Sequence, residues 1–132
     1  MKPWKETKLY SIVNIKCPRC HEGDMFPPHT LYKLSKFDKM YSACPCCGQT
    51  YEPEPGYYYG AMFVSFSIST GIFLAVLFGL SFFVEEITLP MLVGTILIIV
   101  VALLPVNFRL ARAIWINIFM RYEGPCQQLQ KK

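Results

Sequence analysis

The chain has 132 residues, the length of one ordinary domain with no room for two. It is 53% apolar, 15% aromatic and only 17% charged, against roughly 25% charge in a soluble domain. Residues 1–56 hold eight Lys/Arg and six Asp/Glu, whereas residues 57–106 hold no Lys or Arg and only Glu85 and Glu86. This division excludes a soluble enzyme with a large core, a disordered tail and a disulfide-rich secreted toxin. It reads instead as a polar module over 1–56, a membrane module over 57–106 and a tail over 107–132. Net charge is +4, too mild to argue for nucleic acid, so the charges read as orienting a membrane protein. The opening MKPWKETKLYSIVNIKC lacks the apolar run of about 7–15 residues of a secretory leader, so the amino terminus is expected to stay on the side of synthesis.

Leu9, Ile12 and Val13 sit at helical spacing, which predicts a short surface or interfacial helix over Thr7–Asn14. The first cysteine pair follows as Cys17-Pro-Arg-Cys20. Asp24–Pro28 is rich in turn formers, and Leu31, Leu34 and Phe37 fit a helical turn or a strand equally. The second pair is Cys44-Pro-Cys-Cys47, followed by Gly48. Gln49–Glu52 is expected to continue as a short strand, and Pro53–Gly56 to form a rigid linker. Tyr57, Tyr58 and Tyr59 mark a membrane–water boundary.

Residues 61–84 form an uncharged run of 24, and residues 89–106 form one of 18. A helix crosses a bilayer core with about 20. Only Glu85, Glu86, Ile87 and Thr88 separate the runs, so the spans should form a helical hairpin of antiparallel neighbours. Ser67, Gly71 and Ala75 recur every four residues, with Gly60 on the same face. Such a stripe is expected to pack against the second span, or to offer a face to a partner membrane protein or a second copy. Neither span holds an ionisable side chain in its interior, which argues against a transporter working alone.

Pro105 should end or bend the second helix. Beyond it, Arg109, Arg112, Asn117 and Arg121 gather on one side of a helical projection. Phe108, Ala111, Trp115, Ile118, Phe119 and Tyr122 gather on the other. This pattern predicts an interfacial amphipathic helix, with a plain extension of the second helix as its alternative. Gly124–Pro125 stops it, and CQQLQKK reads as a frayed tail. Eight Lys/Arg precede the first span, five follow the second and the connection has none. Both termini, and the cysteines with them, are therefore expected on the cytosolic face.

The two C-x2-C pairs lie 23 residues apart. One tight turn aims both thiolates of a pair at one ion, and two such knuckles complete a tetrahedron. The expected ligands are Cys17, Cys20, Cys44 and Cys47, and the expected ion is structural Zn2+. Four protein ligands close its coordination sphere, and a catalytic zinc keeps a position open. Pro18 and Pro45 pre-set the turns, and Gly48 supplies a positive φ. A module this small also needs a metal to fold. Iron in a rubredoxin-like site uses the same geometry, and a thiol–disulfide pair is a further alternative. His21 or His29 in place of one thiolate, and Cys46 in place of Cys44 or Cys47, are less favoured arrangements. Cys46 and Cys126 otherwise read as free thiols, and His21–Glu22 as solvated turn residues.

The ordered runs CPRCHEGDMF, CPCCGQTYEPEPGYYYGAMFVSFSIS and RAIWINIF, with the two spans between them, resemble the bacterial domain-of-unknown-function family numbered 983. The resemblance covers roughly Leu9 to Tyr122. It implies a zinc-ribbon-like head on two transmembrane helices in the bacterial inner membrane, with no established activity. Some proteobacterial members of that family look linked by gene neighbourhood to terminal-oxidase assembly. The expected function is a non-enzymatic interaction or assembly factor with no catalytic residues and no small-molecule substrate. Its expected partners are the lipid bilayer and a membrane protein or a second copy. The alternative is a redox or metal-handling protein, for instance in respiratory-complex assembly.

Overall fold

The computed structural model describes residues 3–33, 35–36 and 39–131. Its elements are a single 3-10 turn (Trp4–Glu6) and four helices: α1 (Lys8–Asn14), α2 (Tyr59–Phe83), α3 (Leu89–Phe119) and α4 (Cys126–Gln130). Between α1 and α2 lies an irregular head, in which the described residues pair as two isolated antiparallel bridges, Lys16–Asp24 and Ala43–Thr50. The strand expected over Gln49–Glu52 is reduced to the Thr50 bridge. Leu34 and Phe37, on which the helical-turn or strand alternatives rested, lie outside the described residues.

α2 and α3 are both long and apolar enough to cross a membrane. Their large side chains point outward: Phe66, Phe78 and Phe82 are each about seven-tenths exposed. Ser65, Ser69 and Ile72 of α2 face Leu103, Leu104 and Asn107 of α3. Asn107 Nδ2 donates to Ser69 Oγ at 2.9 Å and to the Ser65 carbonyl at 3.4 Å, a polar tie between the two apolar helices. Of the small-residue stripe, Gly60 meets α3 under the Trp115 ring, but the other three residues do not. Ser67, Gly71 and Ala75 are exposed, and a Cβ on Gly71 would meet nothing within 4 Å. The helix register turns Ser65 and Ser69 to the partner, which rotates the stripe outward.

Of the two expectations at Pro105, an end or a bend, the helix does not end there. α3 runs unbroken for 31 residues with Pro105 inside it. A helix of that length is about 46 Å, some 16 Å longer than a bilayer core. Proline removes one hydrogen bond and crowds the preceding turn, at a cost of roughly 3 kcal/mol. The packing of the following turns opposes that cost. Arg109, Ala111, Ala113, Ile116 and Asn117 are all buried there.

The helix expected to lie separately along the interface continues α3, the plain extension named as its alternative, and both of its sides carry buried residues, Ala111 on the apolar side and Arg109 and Asn117 on the polar one. Arg109 is 6% and Asn117 2% exposed, while Ile118 and Phe119 are each 58% exposed. The polar side is the one that holds the head. Arg109 Nη2 donates to Thr30 Oγ1 at 2.8 Å, and its guanidinium lies 4.7 Å from the Phe26 ring centre. Asn117 Nδ2 donates to Ser11 Oγ at 3.2 Å, and Lys8 Nζ donates to the Asn117 carbonyl at 2.9 Å. Thus α1 forms where predicted, but it packs through Ser11, and Leu9 and Val13 stay exposed.

Trp115 fixes where the head meets α2. Its Nε1 donates to the Tyr57 carbonyl at 2.8 Å. Its ring lies over Gly60, where an added Cβ would fall 2.0 Å from ring carbons. Gly60→Ala should therefore displace the indole and cost about 1–3 kcal/mol. Thermal unfolding in detergent, followed by tryptophan fluorescence, checks this. Gly71→Ala, on the open face, should leave the midpoint unchanged.

Candidate metal centre

The two knuckles are built alike. In the first, the Cys17 N–H donates to the Gly23 carbonyl at 2.8 Å and the His21 N–H to the Cys17 carbonyl at 2.8 Å. In the second, the Cys44 N–H donates to the Gln49 carbonyl at 2.8 Å and the Gly48 N–H to the Cys44 carbonyl at 3.0 Å. Each turn then needs a left-handed residue directly after its second ligand. Gly48 fills that place with φ 74, as its sequence position predicts, and His21 fills the other with φ 58.

These turns bring Cys17, Cys20, Cys44 and Cys47 together, with all four sulfurs within 4.8 Å of one another. The Cys17–Cys47 and Cys20–Cys44 sulfur pairs are each 3.7 Å apart. Four sulfurs about 2.3 Å from a central ion form a tetrahedron with edges of about 3.8 Å. The donor set and its spacing therefore fit one tetrahedral metal ion. Cys46 and His21 stand outside this set.

Electrostatics points the same way. The hydrogen bond between them raises the Cys17 thiol and lowers Cys20 to about 4, with burial adding to the rise at Cys17. Burial pushes Cys47 up to about 11. The cluster thus shares protons among crowded sulfurs. A cation at its centre would hold all four as thiolates.

The surrounding shell was largely invisible in the sequence. Tyr51 and Met25 are fully buried in the same core as Cys17, Cys20 and Cys44. Tyr51 donates its hydroxyl to the Asp24 carbonyl at 3.2 Å, and burial raises its phenol. His21 is 4% exposed rather than solvated. Its Nδ1–H donates to the Lys5 carbonyl at 2.6 Å, and its ring lies 4.5 Å from that of Tyr122. The side chain thereby anchors the left-handed turn to both ends of the chain. His29 is exposed.

Cys46 and Cys126 are not free thiols here, and the tail is not frayed. They form a disulfide across 80 residues with Cα atoms 5.7 Å apart. α4 carries Cys126, which is 5% exposed. Sequence gave no signal for a pairing so distant, because nothing local brings the two positions together.

Gly23 offers a test of the cluster. A Cβ there would fall 2.2 Å from Cys44 Sγ, whereas one on Gly48 would meet nothing within 4 Å. Gly23→Ala should displace a ligand sulfur and lose most of the bound metal. Gly48→Ala should keep the metal and lose only about 1 kcal/mol to its positive φ. Elemental analysis and thermal unfolding of the two variants separate these outcomes.

No curated protein and no solved structure matches the chain. Residues 34–120 match a family described as "Protein of unknown function (DUF983)". The match takes in Cys44, Cys47 and both apolar helices. The first knuckle, with Cys17 and Cys20, precedes the matched residues. Two thirds of its length thus places the chain plainly: it belongs to the DUF983 family.

Proposed function

We propose that the chain is a non-enzymatic docking or assembly protein of the bacterial inner membrane. Its zinc-stabilised head sits on the cytosolic face, beside a membrane protein or a second copy that it engages. The observation that carries this reading is the pair of 3.7 Å sulfur edges, which suit a closed tetrathiolate zinc. A zinc held by four thiolates has no position for substrate, so its contribution is to folding.

The placement in a membrane is supported by the outward apolar faces of α2 and α3. Exposed aromatic side chains on that scale are an aggregation liability in water and a match for lipid. Orientation rests on charge: the Lys/Arg residues lie on either side of the hairpin, and its tip carries Glu85 and Glu86. Both termini then share the cytosolic face. There α3 carries the head on its last turns, fixed by Arg109, Trp115 and Asn117. A rigid mount of this kind suits a surface that must be presented at a set height above the bilayer.

Purified full-length protein should contain one zinc per chain and be colourless. A red iron chromophore would favour an electron carrier instead. Stripping the ion with a strong chelator should abolish the near-ultraviolet signal of Tyr51 while leaving α2 and α3 helical. Glu85→Cys should be labelled by an impermeant maleimide from outside intact cells. Labelling only after lysis would reverse the proposed orientation.

A further inference from the structure

Six cysteines are divided by the fold into two chemically different groups. Four meet at the metal centre. The other two, Cys46 and Cys126, meet beside it as a disulfide. We propose that Cys46 and Cys126 form a reversible thiol–disulfide pair that clamps and releases the C-terminal helix, with a cellular thiol or dithiol as its redox partner. The inference goes beyond the docking reading, and it holds whichever ion fills the four-sulfur site.

Three observations carry it. Cys46 lies on the turn between Cys44 and Cys47 and is partly exposed, whereas Cys126 is 5% exposed, so attack is directed to the Cys46 side of the bond. Exposed disulfides exchange readily, whereas buried structural ones resist. Next, the bond is not what assembles the head. The knuckles close through their own backbone hydrogen bonds and their four converging sulfurs. Finally, α4 is held beside Cys46 by contacts that do not involve sulfur. The Cys126 N–H donates to Glu22 Oε2 at 3.1 Å, and Gln130 Nε2 donates to the Cys46 carbonyl at 2.6 Å. With the bond cut, these contacts are too few to hold α4 closed but re-seat it when it returns, so a partner disulfide can restore the bond by the reverse exchange, the second step of which is intramolecular.

The exchange balances without further reagents. A partner thiolate attacks Cys46 Sγ, forming a mixed disulfide, and Cys126 Sγ leaves as a thiolate that takes up a proton. A second partner thiol then displaces Cys46. The products are two cysteine thiols in the chain and one disulfide in the partner, a two-electron reduction of the chain. Cysteines committed to a metal ion are shielded from this attack, which confines it to the pair. Gly124, with φ 138, is the joint about which α4 can swing. The Arg19–Glu123 ion pair and the hydrogen bond from the Glu123 N–H to the Arg19 carbonyl (3.0 Å) hold the chain up to that joint. Release would therefore bare the outer side of the second knuckle and leave the rest of the head in place.

The test uses metal-loaded full-length protein equilibrated in a series of glutathione buffers, then alkylated and mapped by mass spectrometry. Cys46 and Cys126 should pass together from disulfide to dithiol within the series, at constant metal content. Hydrogen exchange of α4 should quicken about tenfold or more on reduction, as a locally opened segment does. Cys126→Ser and Cys46→Ser should each reproduce the fast exchange under oxidising conditions and keep one ion per chain. The proposal is overturned if the pair stays disulfide in the most reducing buffer, as a permanent cross-link would. It is equally overturned if reduction lets Glu22, Cys46 and Cys126 take up a second metal ion, or if Cys46→Ser loses the first. Loss of metal from the wild type on reduction would instead count against the docking reading, and the thiol count distinguishes the two.

Discussion

Four sulfurs drawn to one point are the constraint on which the head depends. Among the described residues the head has one short helix and two isolated bridges, so backbone pairing alone supplies little cohesion. Its core consists largely of the cysteines themselves, with Met25, Phe26 and Tyr51 around them. The knuckles come from opposite ends of the head, and their meeting joins those ends. An ion held by the four thiolates, as proposed, would make binding and folding one equilibrium. Gly23 shows how tight the meeting is, since even a methyl group would collide with Cys44 Sγ.

The second constraint is the length of α3. Because the helix outlasts a bilayer core, its final turns form a post for the head. That post is polar where it must grip. Arg109 meets Thr30 and Phe26, and Asn117 meets Ser11 and receives Lys8 at its carbonyl. Trp115 ties the post to the start of α2 through Tyr57 and Gly60. The four-cysteine cluster and the apolar helix pair are joined by directional contacts as well as by the short Pro53–Gly56 segment.

What the sequence made legible follows from the range of each interaction. The clustering of Cys17, Cys20, Cys44 and Cys47 was readable because two residues between cysteines is a local geometric demand. Gly48, α1 and the lengths of the apolar runs were readable for the same reason. Elsewhere a distant partner decides. Pro105 sits in an intact helix because the turns after it are buried against the head. Arg109 and Asn117 look like a solvent-facing stripe until Thr30 and Ser11 are placed beside them. The stripe of Ser67, Gly71 and Ala75 has the spacing of a helix contact, yet Asn107 sets the register through Ser69. Cys46 and Cys126, 80 residues apart, carry no sequence mark of their union.

The central claim concerns the ion and its ligands, and X-ray absorption at the metal edge of the full-length protein tests it most directly. The account predicts a zinc edge with four sulfur neighbours at about 2.3 Å and no nitrogen or oxygen in the inner shell. An iron edge, or a shell containing one or more light-atom neighbours, would contradict it.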